Sequence, residues 1–402
     1  MKRIYDDVMK MHFANYRQMA FLSGPRQVGK TTILEQYIQQ RQFNRYVNWD
    51  NIEDRDALLR GYQNIINALP VDAVLDEKPI IGFDEIHKYR DWRNYLKGFY
   101  DSYQHQLDVM VTGSARLHLA RRTGDSLMGR YFPYRIHPLS VAELLRPKIS
   151  DTEISQPREI SDALWHQLYK FGGFPEPFYQ AKEVFHRKWS RLRHEQLLFN
   201  DISQLSQVHE LSQLELLATT MKQSVGQLVN YHNFAKHIRV SDQTIRSWIQ
   251  LLSSFYYCFV ITPWHTNVSR SLLKSPKLYL WDWSLVLDEG ARLENMVASH
   301  LLKAVHFWTD LGLGDYGLYF IRDKDKKEVD FLITKDNQPW CLLEVKSSSK
   351  QPLSKHLRYF QEQIKAPIAL QLVKDLPYVE KDCFAYDDIA MVSLKTFLSQ
   401  LV

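Results

Sequence analysis

A glycine-rich segment near the N-terminus has the residue types and the spacing needed to bind phosphate. Residues 24–31, GPRQVGKT, match GxxxxGK[ST] and lie between an apolar, strand-like run and a helical stretch. Glycines allow backbone N–H groups to surround an anion, and the following helix directs the positive end of its dipole at the same point. We expect Lys30 to reach the β- and γ-phosphates and the Thr31 hydroxyl to bind Mg²⁺. The predicted nucleotide-binding residues are Gly24, Pro25, Arg26, Gln27, Val28, Gly29, Lys30, Thr31 and Thr32.

Two adjacent carboxylates follow an apolar strand further along the chain. The run PIIGFDE, residues 79–85, ends in Asp84 and Glu85. Taken alone, such a pair is usually the start of a solvated loop. Downstream of a phosphate-binding loop, Asp84 is expected to hold Mg²⁺ through water, and Glu85 to polarise the water that attacks the γ-phosphate.

The next strand-like run supplies a further polar candidate, and an arginine-rich stretch follows it. The run ends in TGSAR, residues 112–116, where Ser114 or Thr112 is expected to sense the γ-phosphate or orient the water. One of several arginines is a candidate arginine finger, within the chain or across a subunit interface. The alternative is that they are surface residues or contact nucleic acid. These arginines are Arg116, Arg121, Arg122 and Arg130, of which Arg130 is the named candidate.

A second set of chemically capable residues lies near the C-terminus. Glu344 and Lys346 are two residues apart on a predicted strand and therefore share a face, towards which Asp330 can project from the neighbouring strand. Two carboxylates and a lysine suit metal-assisted phosphodiester cleavage, with the carboxylates holding Mg²⁺ and the lysine orienting or deprotonating the nucleophile. Glu294, on the preceding helix, is a further candidate ligand. The set resembles the PD-(D/E)xK nuclease signature, but a non-catalytic binding fold and a coincidence of strand-end residues are both open alternatives.

The elements that must position these residues divide the chain of 402 residues into three parts. Up to about residue 145, short apolar strands alternate with helices, which indicates a parallel sheet covered on both faces. A polar stretch, residues 148–160, reads as a linker. A mainly helical part and then a small α/β unit follow. The predicted class is α/β, with domains at residues 1–148, 161–289 and 290–402.

The helical middle part contains two features that suit nucleic acid. Residues 226–262 predict a helix, a tight turn and a longer helix, as in a helix-turn-helix, followed by a strand or wing. Residues 182–194 form a basic helix with Trp189 interleaved. The alternatives are a packing scaffold for the first feature and a solvated helix face for the second. The residues expected to face outward from the longer helix are Asp242, Gln243, Arg246 and Ser247.

Overall composition limits the function classes only weakly. Hydrophobic residues make up 45% and charged residues 24%, which excludes a disordered or collagenous chain. The net charge of +5 permits nucleic acid as a partner without requiring it. Three cysteines without a CxxC pair fit a reducing compartment, and no apolar run is long enough to span a membrane. We expect a soluble cytoplasmic protein.

Together these motifs resemble the bacterial and archaeal AAA-type ATPases that carry a C-terminal DUF4143 region. The resemblance rests on the phosphate loop, FDEI at 83–86, TGS at 112–114, Gly129-Arg130 before YRIHPLSVAEL, YKFGGFPEPF at 169–178 and GARLENMVASHL at 290–301. It implies an N-terminal P-loop ATPase, a helical and winged-helix middle part, and a restriction-endonuclease-like C-terminal fold.

Three functions are compatible with these patterns. The first is an ATP-hydrolysing machine whose cycle is coupled to its appended domains. The second is an ATP-gated switch that binds nucleic acid or protein, and the third is a metal-dependent nuclease controlled by the ATPase. The expected cofactors are ATP and Mg²⁺, and the expected partners are DNA or RNA, a protein, or further copies of the chain.

Overall fold

The computed structural model describes residues 2–73, 75–113, 127–202, 210–265 and 275–402. The chain folds into two compact units. Unit 1 comprises Met1–His137 with Pro147–Ile149, and unit 2 comprises Pro138–Arg146 with Ser150–Val402. The division into three domains at 148 and 289 stays a prediction.

Unit 1 is built on a five-stranded parallel sheet with strand order β2-β3-β4-β1-β5. Its strands are β1 (Met19–Ser23), β2 (Asn44–Asn48), β3 (Ile80–Asp84), β4 (Asp108–Gly113) and β5 (Tyr131–Arg135). Its helices are α1 (Ile4–Asn15), α2 (Lys30–Ile38), α3 (Ile52–Leu59), α4 (Tyr62–Ile66) and α5 (Trp92–Tyr103), with a 3₁₀ turn at Ile86–Lys88.

The central strands of this sheet are buried along their whole length, as expected for parallel strands covered on both faces. Phe21, Phe83 and Phe99 belong to the apolar core on one side of the sheet. Because the strands are parallel, Ser23, Asp84 and Gly113 all lie at the same edge, where β1, β3 and β4 end. The fold therefore brings the phosphate loop and the predicted carboxylates to one place.

Within its described residues, the first part of unit 2 is mainly helical and includes a β-hairpin. The hairpin pairs β6 (Cys258–Ile261) antiparallel with β7 (Lys277–Leu280). A π-helical turn spans Gln196–Ile202, and a 3₁₀ turn spans Trp283–Leu285. The helices are α6 (Val141–Leu145), α7 (Asp162–Phe171), α8 (Pro175–Gln180), α9 (Glu183–Glu195), α10 (Leu211–Met221), α11 (Tyr231–Ile238) and α12 (Asp242–Ser254).

The second part of unit 2 contains a mixed sheet with strand order β12-β11-β10-β9-β8. Strand β9 is antiparallel to its neighbours β8 and β10, whereas β10, β11 and β12 are parallel. These elements are α13 (Glu289–Asp310), β8 (Tyr316–Arg322), β9 (Glu328–Lys335), β10 (Gln338–Lys346), α14 (Lys355–Ile364), β11 (Ile368–Val373), β12 (Ala390–Ser393) and α15 (Leu394–Gln400). Two separate sheets with their helices confirm the predicted α/β class.

Of the expected linker, residues 148–160, the part from 150 to 160 belongs to unit 2 and forms no helix or strand. The Glu153 carboxylate pairs with Lys335 at 2.6 Å, and the Ser155 N–H donates to the carbonyl of Gln400 at 2.9 Å. The segment is therefore fixed to the rest of unit 2. Among the described residues, no helix has the length and apolarity needed to cross a bilayer.

Candidate functional site

The phosphate loop connects the end of β1 at Ser23 to the start of α2 at Lys30. A Cβ atom at Gly24 would lie 2.4 Å from the carbonyl oxygen of Ile136, so only glycine fits this position. Gly29, with a φ of 99°, caps α2 in a conformation that other residues rarely adopt. These two glycines explain how the backbone can turn tightly enough to surround a phosphate.

Lys30 lies across its own loop. Its ammonium donates hydrogen bonds to the carbonyl oxygens of Gly24 at 3.0 Å and Pro25 at 2.7 Å, and the residue is 8% exposed. The charge that would neutralise a bound phosphate is therefore already inside the loop.

Asp84 is the centre of a hydrogen-bond network at the end of β3. One carboxylate oxygen, Oδ2, accepts from the Thr31 hydroxyl at 2.8 Å and from the Tyr46 hydroxyl at 2.9 Å. The other, Oδ1, accepts from Thr112 at the end of β4. The hydroxyl of Thr31 and the carboxylate of Asp84 supply the oxygen ligands that Mg²⁺ prefers. These two residues would hold the ion, and the ion would neutralise phosphate charge.

Glu85 follows β3 directly and has a φ of 55°. Its carboxylate lies 3.2 Å from the ammonium of Lys88 and 3.7 Å from Nε2 of His87. Burial alone would lower the pKa of Lys88, but Asp50 and Glu85 outweigh it and raise that pKa above its ordinary value. Glu85 is thus held beside a lysine that keeps its charge.

Sequence patterns missed two residues of this site, Tyr46 and Arg3. Tyr46 reaches Asp84 from β2, and Arg3 donates to the carbonyl of Val28 within the loop at 2.8 Å. Tyr46 is half-buried and its hydroxyl lies beside the Asp84 carboxylate, so its pKa lies well above the usual range and it remains a donor. No local motif marks either residue, because each contact joins segments far apart in the chain.

The predicted C-terminal residues also come together. Glu344 and Lys346 lie on β10, and Nζ of Lys346 donates to Oε1 of Glu344 at 2.7 Å. Asp330, on the neighbouring strand β9, accepts from the Val345 N–H at 2.9 Å. Burial and the charge of Asp330 raise the pKa values of Glu294 and Glu344 to about 7. These carboxyl groups therefore lie close enough together to influence each other's protonation.

A lysine that sequence reasoning missed lies between these carboxylates. Nζ of Lys277, at the start of β7, is 2.8 Å from Oε1 of Glu328, 3.3 Å from Oε1 of Glu294 and 3.6 Å from Oδ1 of Asp330. Burial lowers the pKa of Lys277, but the three carboxylates outweigh this effect and raise it above its ordinary value. We refer to Glu294, Glu328, Asp330 and Glu344 as the carboxylate cluster.

The carboxylate cluster does not fit the predicted metal in this arrangement. Within the described residues, no group of three or more His, Cys, Asp or Glu side chains is arranged to hold a metal ion. Asp330, Glu344 and Glu294 were the predicted ligands, but Lys277 pairs with Glu294 and Asp330, and Lys346 pairs with Glu344. The structure thus supplies ammonium groups where sequence reasoning expected a cation from solution.

Family models match three consecutive stretches of the chain. Residues 16–145 match the AAA domain, and residues 289–394 match a domain of unknown function, DUF4143. The chain combines an AAA domain with a C-terminal DUF4143 region. This confirms the predicted resemblance to AAA-type P-loop proteins of that organisation. Between the two, residues 162–289 match another domain of unknown function, DUF8612.

Relatives and solved structures are similar to this chain at low identity. An uncharacterized protein of Haemophilus influenzae is 26% identical over 340 residues, which cover 79% of this chain and 80% of that protein. An uncharacterized protein of Mycobacterium tuberculosis is 23% identical over 362 residues, covering 85% and 73% of the two chains. The Walker-type ATPase PABY2304 of Pyrococcus abyssi is 13% identical, with a TM-score of 0.41 over 72% of this chain and 94% of that one.

Of the remaining predicted residues of the AAA domain, Arg130 lies within the described part of the chain. Ser114, Arg116, Arg121 and Arg122 lie outside the described residues. Arg130 immediately precedes β5, and its guanidinium pairs with both carboxylate oxygens of Asp101 at 2.7 and 2.9 Å. Because β5 runs parallel to β1, with Met19 opposite Tyr131, Arg130 lies at the sheet edge opposite the phosphate loop. Within one chain it does not contact the loop.

The DUF8612 stretch contains the predicted pair of helices, with α11 and α12 joined at residues 239–241. Asp242, Gln243, Arg246 and Ser247 are exposed on α12 as expected, and the Arg246 guanidinium lies 3.7 Å from the centre of the Tyr231 ring.

On the basic helix α9, Trp189 is buried at 5% exposure. It faces the core because apolar neighbours such as Phe174 pack against it, with the two ring centres 5.4 Å apart. The interleaved aromatic is therefore not available to a nucleic acid, whereas Arg187, Lys188 and Arg191 are exposed.

Proposed function

We propose that the protein is a Mg²⁺-dependent ATP hydrolase whose AAA domain carries the reaction. The observation that carries the proposal is the network on Asp84, because one carboxylate there binds both the Thr31 hydroxyl of the phosphate loop and the Thr112 hydroxyl of the neighbouring strand. Such a carboxylate is suited to orient a metal that is shared with the phosphates.

The roles of the other residues follow from their positions. Lys30 neutralises the β- and γ-phosphates from within the loop, and the loop N–H groups bind their oxygens. Glu85 is the general base, because its carboxylate lies directly beyond Asp84 at the strand end where the γ-phosphate is expected. Ser114 and Arg130 are proposed only as further contributors, in the case of Arg130 from a second copy of the chain.

Three substitutions test this reaction. We expect Lys30→Ala to abolish ATP turnover, Asp84→Asn to lower it at least about 100-fold, and Glu85→Gln to retain ATP binding with turnover lost. Lys10→Ala, which removes an exposed lysine of α1, is the matched control and should behave like the wild type. Turnover that survives Lys30→Ala would overturn the assignment of the loop. A Glu85→Gln protein that keeps all partner functions with ATP bound would favour a switch over a machine.

We further propose that nucleic acid is the partner of the DUF8612 stretch, in a winged-helix-like arrangement. The support is the pair α11–α12 followed by the antiparallel hairpin β6–β7, together with the exposed basic residues of α9. The test is the ATPase rate with and without single- and double-stranded DNA and RNA. Stimulation that disappears in Arg187→Ala/Lys188→Ala supports the proposal, and no response to any of the four nucleic acids would point to a protein partner instead.

For the DUF4143 region we propose a restriction-endonuclease-like fold that binds a nucleic-acid or protein partner and does not cleave nucleic acid. The element order α13-β8-β9-β10-α14-β11 places Asp330 and the Glu344/Lys346 pair on adjacent strands, which suits that fold. The contacts of Lys277 favour the non-catalytic alternative, because ammonium–carboxylate pairs use the groups that a metal would need. Mg²⁺- or Mn²⁺-dependent cleavage of a plasmid that is lost in Asp330→Ala would overturn this choice.

A further inference from the structure

The carboxylate cluster is completed by a residue from outside the DUF4143 region. Lys277 belongs to the stretch that matches DUF8612, whereas all four carboxylates belong to the stretch that matches DUF4143. We propose that Lys277 is the built-in cation of this cluster and that it excludes divalent metal ions from it. This inference rests on the proposed endonuclease-like fold in one respect only, namely that the excluded ligand is a divalent metal ion.

The contacts of Lys277 are those of a cation site. Its side chain is 4% exposed, and its ammonium lies within 3.6 Å of oxygens from three carboxylates, those of Glu294, Glu328 and Asp330. A buried lysine is tolerated only when it is paired, and here three carboxylates surround one ammonium. The Tyr279 hydroxyl, two residues along the same strand, also donates to Oε1 of Glu294 at 2.7 Å.

Backbone pairing fixes where Lys277 lies. Its strand β7 pairs with β6, and Lys277 itself forms an isolated bridge with Leu228. Beyond β6, the Trp264 N–H donates to the carbonyl of Phe320 at 2.7 Å, which joins the chain to the edge strand β8. The ammonium is therefore carried into the cluster by a strand held on both sides, and its position does not depend on a freely rotating surface side chain.

The charges around the cluster are nearly balanced without a metal. Besides Lys277, Lys346 pairs with Glu344, and Arg322 pairs with the second oxygen of Glu328 at 2.6 Å. Glu344 Oε2 is a buried oxygen with no hydrogen-bond partner within the described part of the chain. A divalent ion drawn to that oxygen would also need Asp330 or Glu294, and there it would meet the positive charge of Lys277.

It follows that metal can enter only when β7 moves or Lys277 is removed.

The test measures Mn²⁺ binding to the full chain in the absence of nucleotide. The readout is the decrease in the EPR signal of free Mn²⁺ as the ion binds. We expect no detectable Mn²⁺ at the cluster in the wild type and one Mn²⁺ per chain at the cluster in Lys277→Met, which corresponds to a gain in affinity of at least about tenfold. Adding Asp330→Asn to Lys277→Met should abolish the gain. Lys350→Met, which removes an exposed lysine of the same region, should match the wild type.

Thermal melting covers the case in which Lys277→Met is poorly folded, because Mn²⁺ should then raise its melting temperature and leave that of the wild type unchanged. The wild-type arm is decisive by itself. One Mn²⁺ bound by the wild type and lost in Asp330→Asn would overturn the inference, as would a Lys277→Met protein that Mn²⁺ neither binds nor stabilises. ATP turnover is a separate readout, so failure here leaves the proposed hydrolase untouched, and failure of the hydrolase leaves this result interpretable.

Discussion

Arg3 donates a hydrogen bond of 2.8 Å from Nη1 to the carbonyl oxygen of Val28, one residue before the glycine that caps α2. Its other terminal nitrogen, Nη2, donates to the carbonyl of His137 at 2.7 Å, beyond the end of β5. The residue is 6% exposed and lies outside residues 16–145, the stretch that matches the AAA domain. A residue that precedes the matched domain therefore holds the backbone of the phosphate loop at Val28.

This relationship predicts that Arg3 sets nucleotide affinity without contacting nucleotide. We expect Arg3→Met to weaken binding of a fluorescent ATP analogue about tenfold, because two buried carbonyls lose a charged donor and the loop loses its support. Arg3→Lys should recover part of the affinity, since one ammonium cannot reproduce the two-pronged contact. Arg17→Met, at an exposed position, is the control. Equal affinities for Arg3→Met and Arg17→Met would contradict the prediction.

Tyr46→Phe is predicted to affect the metal requirement more than ATP binding itself. Removing the hydroxyl frees Oδ2 of Asp84 from one of its two donors and lets the carboxylate rotate. We expect the Mg²⁺ concentration for half-maximal turnover to rise about 3- to 10-fold, with metal-free nucleotide affinity unchanged. Titration of turnover with Mg²⁺ measures this. Tyr16→Phe, at an exposed tyrosine, should leave the titration unchanged.

The buried pair Glu143–Lys303 is predicted to matter for folding. Both side chains are at most 2% exposed, and Lys303 also donates to the Ser140 hydroxyl at 2.9 Å and to the carbonyl of Pro138 at 3.1 Å. Lys303→Met alone should cost about 3–5 kcal/mol of unfolding free energy in urea, because it leaves a buried carboxylate without its partner. The double variant Glu143→Leu/Lys303→Met should recover most of that loss. A single variant as stable as the wild type would refute this.

Acid should destabilise the protein through His300. Its Nε2 accepts from the Val141 N–H at 3.1 Å, and its Nδ1 donates to the carbonyl of Met296 at 2.7 Å. Burial lowers its pKa to about 4. Below pH 6.5 the unfolded chain gains a proton that the folded chain does not, so stability should fall by about 2 kcal/mol between pH 7 and pH 5 from this residue. His300→Gln should reduce the slope by this contribution, whereas His166→Gln, at an exposed position, should leave it unchanged.

Local motifs predicted the parts of the site that depend on neighbouring residues. The phosphate loop, Asp84 and the Glu344/Lys346 pair each follow from spacing within one strand or turn, and parallel strand ends bring the first two together. The α/β class followed in the same way from alternating strands and helices.

Contacts across long sequence separations could not be predicted. Tyr46 is 38 residues from Asp84 in the sequence. Lys277 lies on β7, whereas its partner Glu294 lies on α13. Sequence spacing marks which carboxylates share a strand face, but it does not reveal that a lysine from another hairpin lies among them. Trp189 shows a different limit, because an aromatic interleaved in a basic helix was interpreted as part of a face that suits nucleic acid, whereas its side chain is buried.

The packing of α6 bears on where the protein can be divided for study. Val141 and Glu143 of this short helix are buried in unit 2, where their partners are His300 and Lys303 of α13. A cut after residue 148 would leave α6 attached to the ATP-binding fragment with its apolar side in water, and would strip Lys303 of its carboxylate. A cut between His137 and Pro138 keeps these contacts. We therefore expect a recombinant fragment that begins at Pro138 to be soluble and to resist proteolysis better than one that begins at residue 149.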